Sequence, residues 1–232
     1  RIFVGLVLAA FTAAGAFAAP EFKLSAGAGG YFTSDFGGGY KVSAKLPAGL
    51  GNLIQEEKTP YAGGGGFVFI DATYAELSFG FFGGGGKSID KREMPAIAGG
   101  NSEHKFTTST AGLDIGLLGK YPFEISEKLS VFPLLGITYR VVISEKMEKL
   151  KYGKPGDFSA LWFNLGGGLD FSLTDQLYLR SELLYGLRTG NTYEKNRISA
   201  AEKEVKSHTL TPDSKASLGH GLSVKLAVGY RL

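Results

Sequence analysis

Apolar residues alternate one for one with small or polar ones along segments of about ten residues, and such segments recur eight times in this 232-residue chain. A side-chain period of two belongs to the β-strand, whose successive side chains point to opposite faces. In the first segment Phe22, Leu24, Ala26, Ala28 and Phe32 take one face, and Lys23, Ser25, Gly27, Gly29 and Tyr31 the other. The second, near 61–71, is apolar on both faces and gives no orientation. The third sets Ala75, Leu77, Phe79 and Phe81 against Glu76, Ser78 and Gly80. Similar alternation marks segments near 112–121, 129–141, 161–172 and 177–188. The last is the cleanest, with Leu222, Val224, Leu226, Val228, Tyr230 and Leu232 opposing Gly221, Ser223, Lys225, Gly229 and Arg231.

The connections carry a second regularity. They alternate long and short, with long ones expected near 33–60, 84–106, 143–157 and 189–217 and short ones near 71–73, 124–127 and 173–176. A soluble sandwich has no reason to gather its long loops at one end, whereas a transmembrane barrel has short turns on one side and long loops on the other. Aromatic residues on the apolar faces fall into two bands. Phe22, Tyr121, Phe171 and Tyr230 lie toward the turn end, and Phe32, Phe81, Tyr139, Phe163 and Tyr185 toward the loop end. Two bands about one membrane thickness apart are what anchoring at both interfaces requires. The expected fold is all-β: an eight-stranded antiparallel up-and-down transmembrane barrel.

The first segment reads differently. Arg1 precedes an apolar run from Ile2 to Ala14, and Ala16-Phe17-Ala18 has the small-x-small form of a cleavage site. Residues 1–18 are therefore expected to be a secretory signal and 19–232 the barrel domain. Beyond this run no stretch approaches the 20 or so apolar residues of a membrane helix. A mean hydropathy of +0.03 fits a barrel, in which only the outward face is apolar. The absence of cysteine excludes disulfides, thiolate metal sites and a lipoprotein anchor. A net charge of +3, dispersed along the chain, gives no reason to expect nucleic acid.

The final strand resembles the C-terminal assembly signal of outer-membrane barrels, carried here by Leu226, Val228, Tyr230 and Leu232, although bacterial members usually end in phenylalanine. The stretches Tyr74-Ala75-Glu76-Leu77-Ser78-Phe79-Gly80 and Phe132-Pro133-Leu134-Leu135-Gly136-Ile137-Thr138-Tyr139 resemble those of the small OmpW, OmpX and opacity-protein barrels. That resemblance implies a bacterial outer-membrane location reached through the periplasm. It also implies contact with outer-membrane lipids, assembly by the barrel-assembly machinery, and a role as channel, adhesin or protective surface protein.

Eight strands enclose a lumen that side chains can fill. Alternation turns Lys23, Glu76, Asp114, Arg140, Asp170, Arg180, Glu182, Arg188 and Lys225 into it, a near balance of signs. If the turn after the sixth strand centres on Asp175, Asp170 lies directly across from Arg180, and Glu182 and Lys225 extend the network. The set reads as a structural plug or as a charged gate. Tyr31, Phe82, Phe132, Leu134 and Trp162 are candidates for an apolar pocket or gate. Glycine tracts at 63–66 and 83–86 should face each other, as a flexible rim or a lateral opening. The charged runs 144–151 and 201–206 suit short helices above the membrane. No cofactor, metal site or catalytic triad is expected, because His220 and Ser223 are three apart and diverge in a strand. The expected function is a narrow channel for small, hydrophobic solutes, because Tyr31, Phe82, Phe132, Leu134 and Trp162 could line an apolar pocket; the alternative is a surface-exposed adhesin that shows its loops to host proteins.

The two-faced pattern makes a direct prediction. The folded chain should need detergent to remain in solution and should migrate differently on gels before and after boiling. Free solubility with heat-independent migration would contradict it.

Overall fold

The computed structural model describes residues 22–47, 51–94, 100–147 and 154–232. The expected signal at 1–18 lies outside the described residues. Eight strands form the barrel: β1 (Leu24–Phe36), β4 (Tyr61–Ala72), β5 (Ala75–Glu93), β6 (Ser102–Lys120), β8 (Leu129–Met147), β9 (Ala160–Ser172), β10 (Leu177–Arg188) and β12 (Gly219–Arg231). Each pairs antiparallel with its neighbour, and the pairing of β1 with β12 from Ser25↔Arg231 to Phe36↔His220 closes the ring. A short β7 (Phe123–Ser126) folds onto the start of β8 at the turn end.

Alternation follows the sequence pattern. Phe32, Val68, Phe81, Leu135, Phe163, Leu183 and Leu226 are exposed on the outer surface, while Phe69, Glu76, Leu134, Tyr178 and Arg180 are buried in the lumen. Phe81 is 64% exposed and Leu226 62%. A continuous apolar belt of this kind is far larger than a soluble monomer carries, so its solvent is hydrocarbon. The segment without orientation is now placed: Val68 and Ile70 face lipid, Phe67 and Phe69 face inward. The two glycine tracts pair in register, Gly63↔Gly84 and Gly64↔Gly83, inside an unbroken ladder. That wall has no lateral opening.

The long connections are not loops throughout. Much of the expected 33–60 and 84–106 loops is strand. β2 (Gly39–Lys45), β3 (Asn52–Lys58) and β11 (Pro212–Ser217) join the upper half of β5 in a sheet ordered β11-β2-β3-β5. β3 meets β5 in the same register as β4 does, with Lys58↔Ile89 continuing Ala62↔Gly85 across Pro60. One side of the barrel wall thus rises past the membrane. Its inner face receives α1 (Thr192–Ser207), which packs Ala201 and Val205 against Tyr40, Val42 and Ala44. The charged run at 201–206 is therefore helical. Of the run at 144–151, Ser144–Met147 belongs to β8 and the remainder lies outside the described residues.

The wall bends at Gly37, Gly38 and Gly39, all at positive φ, between β1 and β2. A Cβ on Gly39 would lie 1.8 Å from the Glu57 carbonyl oxygen, on a backbone at φ +125°. Only glycine allows both the turn and the contact. Gly39→Val is therefore expected to cost the cap roughly 1–3 kcal/mol. Limited proteolysis should cut the variant within 39–58 and 192–217, while its barrel still migrates as a folded species. A variant as resistant to the protease as wild type would refute this.

Candidate functional site

The lumen is filled by two ionic layers, each built on an arginine. In the turn-end half, Arg180 on β10 reaches Asp170 on β9, directly opposite in register, with Nε–Oδ1 at 2.8 Å and Nη2–Oδ2 at 2.7 Å. The same guanidinium donates to Glu76 Oε2 at 2.7 Å and to Asp71, which Lys120 also contacts. Lys225 lies 3.1 Å from Glu182, its cross-strand partner, and 3.6 Å from Glu76. Arg180 is 2% exposed and Glu76 0%. In low dielectric an unpaired charge is costly, and here every fork of the guanidinium is taken. Phe69, Phe132 and Tyr178 stack around it with centroids 4.8–5.3 Å away, cation–π contacts that complete its enclosure.

The loop-end half repeats the design. Arg140 on β8 forms a bidentate pair with Asp114 on β6, also directly opposite, at 2.9 and 3.0 Å. Asp35 stands 3.5 Å from the same guanidinium, and Tyr31 donates to Asp114 at 2.8 Å. Phe82, Trp162 and Tyr61 lie against Arg140 at 4.6, 5.6 and 5.7 Å.

Not every residue singled out in the sequence joins these layers. Lys23 sits at the turn-end rim, half exposed, and pairs with Glu124 at 3.6 Å, so it is outside the network. Arg188 belongs to the cap, donating to Glu194 at 2.5 Å. The five apolar candidates do not form one pocket. Tyr31, Phe82 and Trp162 surround Arg140, whereas Phe132 and Leu134 pack with Leu118 and Leu184 in the other half. They divide because they stand at different heights along the barrel, Phe82 and Trp162 level with Arg140 and Phe132 level with Arg180. Leu226, Val228, Tyr230 and Leu232 are exposed on the lipid face. Asp71 was missed because it falls where a turn was expected. Asp35 and Glu57 were missed because the expected loop at 33–60 hid their strands.

Between the layers the space is small. A cavity of about 60 Å³ lies beside Tyr31, Asp114 and Lys225, and one of about 90 Å³ lies above it, beneath the cap, beside Asp35, Tyr61 and Arg188. Another of about 90 Å³ opens at the turn end beside Lys120, Asp170 and Arg231. Such volumes hold a few waters, not a solute.

The cap is latched over the mouth by two carboxylates. Glu194 accepts from Gly39 N at 2.9 Å and closes a capping box with Asn191, whose side chain accepts from Glu194 N at 2.9 Å. Glu57 accepts from Tyr193 at 2.9 Å and Arg197 at 3.3 Å. Burial raises the Glu57 carboxyl above its ordinary range, opposed by Arg197 and by the Tyr193 hydrogen bond. Among the described residues no group of His, Asp and Glu has the arrangement of a metal site.

The chain is similar to several solved membrane barrels. The outer membrane protein OprG from Pseudomonas aeruginosa shares 9% identity over 92% of this chain and 97% of that one, with a TM-score of 0.45. The outer membrane protein AlkL, solved in DMPC bilayers, shares 15% over 93% and 92%, with a TM-score of 0.35. Ail, the attachment invasion locus protein of Yersinia pestis, shares 14% over 88% and 99%, with a TM-score of 0.31. No curated protein sequence matches. The family model of the outer membrane protein beta-barrel domain matches residues 3–211. That match runs through most of the chain, and together with the closed eight-stranded ring and its apolar belt it makes this protein a member of the bacterial outer-membrane β-barrel family.

Proposed function

We propose that this protein is a closed barrel whose work is done on its outer side, holding a folded cap out for contact with external molecules. Of the two functions compatible with the sequence, this is the surface-display one, with host surface proteins among the candidate partners. The observation that carries it is the occluded lumen. Among the described residues Arg180 and Arg140, with their carboxylates and aromatic neighbours, leave cavities of about 60–90 Å³. A solute crossing this interior would have to separate Arg180 from three carboxylates at once. The reading includes no catalytic step and no cofactor. It includes export through the periplasm under the signal at 1–18. The assembly machinery would read Leu226, Val228, Tyr230 and Leu232 before insertion, because these residues face lipid in the finished barrel.

One observation favours the small-solute reading as the second choice. A cleft of about 440 Å³ opens beside this packing, between the C-terminal end of α1 and the outer end of the cap sheet, lined by Val42, Leu53, Ala201, Val205 and Leu210, with Arg92 and His208 also on its wall. Its size and apolar walls suit capture of a small hydrophobic molecule.

Planar-bilayer recording separates the two. The purified barrel is expected to give no reproducible unitary conductance, and a steady unitary current would overturn the closed reading. The plug is tested by Arg180→Ala, which leaves Asp71, Glu76 and Asp170 without their shared cation. A loss of roughly 3–5 kcal/mol in denaturant unfolding from lipid vesicles is expected. An unchanged midpoint would show that the layer does not support the barrel.

A further inference from the structure

The turn-end layer carries more acid than base. Its cations are Lys120 on β6, Arg180 on β10 and Lys225 on β12. Its carboxylates are Asp71 on β4, Glu76 on β5, Asp170 on β9 and Glu182 on β10. Three positive groups thus face four negative ones, and no neighbour among the described residues supplies the difference. Arg231, at the rim on the far side of the Tyr178 ring, donates to Ser172 and to the Asp175 carbonyl. Lys23 pairs with Glu124, and in the layer above Arg140 already faces both Asp114 and Asp35. The phenols of Tyr31 and Tyr178 are bonded to Asp114 and Ser25.

The surplus sits where it is most costly. Leu77, Leu183 and Leu226, the outward residues next in sequence to Glu76, Glu182 and Lys225, meet hydrocarbon. A net charge at that depth needs a counter-charge. The hydrogen bonds show where it is wanted. Arg180 donates to both oxygens of Asp170, to Asp71 and to Oε2 of Glu76, and Lys120 donates to Asp71. Glu76 Oε1 and both oxygens of Glu182 are buried and receive no hydrogen bond among the described residues. Lys225 attracts them from 3.1 Å and 3.6 Å without donating to either group.

The two glutamate side chains are in hydrogen-bonding contact with each other. Two carboxylates so placed repel, whereas a carboxyl and a carboxylate attract through a charge-assisted O–H···O bond. One proton therefore neutralises the layer and gives the facing oxygens their donor. We infer that Glu76 and Glu182 bind one proton between them, held by the pair rather than by either residue, and that this proton closes the turn-end half of the plug. The site couples the plug to pH, whatever the cap meets outside. In the unfolded chain both glutamates titrate near about 4.3 and are ionised at neutral pH, so folding takes up a proton. Stability then falls as pH rises, by about tenfold in the unfolding equilibrium per pH unit from about pH 5 until the pair releases its proton. Beyond that point the surplus charge returns, the carboxylates push apart and the plug loosens.

The test uses the full chain refolded into lipid vesicles. Infrared spectra of protein carrying isotope-labelled glutamate should show one carboxylic-acid carbonyl band at neutral pH, where free glutamates are ionised. Glu182→Gln, a neutral isostere whose amide can donate to Glu76, should abolish that band. The same variant should resist urea better than wild type in alkali, with the gap in unfolding equilibrium widening about tenfold per pH unit across the titration. A wild-type spectrum without the band overturns the inference even if the variant does not fold. So do parallel pH profiles for the two proteins, or a glutamic-acid band that survives the substitution. If alkaline stability follows sodium concentration at fixed ionic strength instead of pH, a metal ion neutralises the layer and the inference fails.

Discussion

Inside hydrocarbon a backbone N–H or C=O without a partner has no water to turn to, so a sheet that enters a membrane must have no free edge. The pairing of β1 with β12 meets that demand, and it commits all eight strands to a ring of set circumference. The rest follows from this closure. Eight strands leave an interior that side chains fill rather than a water channel. The outward residues have only lipid to meet, which is why Phe32, Val68 and Leu226 lie bare on the surface of a well-ordered fold.

An interior of that size must be solid or wet, and this one is nearly solid. Two arginines organise it, each paired in register with an aspartate across one ladder and then sheathed by three aromatic rings. Replacing water by fixed carboxylates and ring faces keeps the guanidinium charged in a dry place. The consequence is functional. When the lumen is occupied by its own structure, chemistry with the outside is left to the outer surface, and the chain builds that surface from the same strands. The ladders of β4 and β12 continue into β3 and β11 with only Thr59-Pro60 and Leu218 interrupting them.

Alternation made most of the barrel legible in the amino-acid order. The strand faces, the ring and its class follow from a period of two, and the apposition of Asp170 with Arg180 follows from a turn centred at Asp175. The cap was not legible. Its strands carry Gly39 and dense charge and break off at Pro60, features that locally read as loop. What makes them strands is the ladder offered by β5, a tertiary partner invisible to a local pattern. The grouping inside the lumen was hidden for a related reason. Period-two counting tells which residues point inward but not their height, so Phe132 and Trp162 looked like members of one pocket although they belong to different layers. Asp71, at the last turn of β4, needed the true strand end to be counted at all.

The central claim is that successive residues of one strand meet lipid and enclosed lumen in turn. With no native cysteine, single cysteines at each position of β12 can carry a spin label in reconstituted bilayers. Collision rates with oxygen, which concentrates in lipid, should peak at Leu222, Val224, Leu226 and Val228 and fall at Ser223, Lys225 and Ala227. Rates that vary smoothly along the strand, or that match a water-soluble relaxant at every position, would contradict the account.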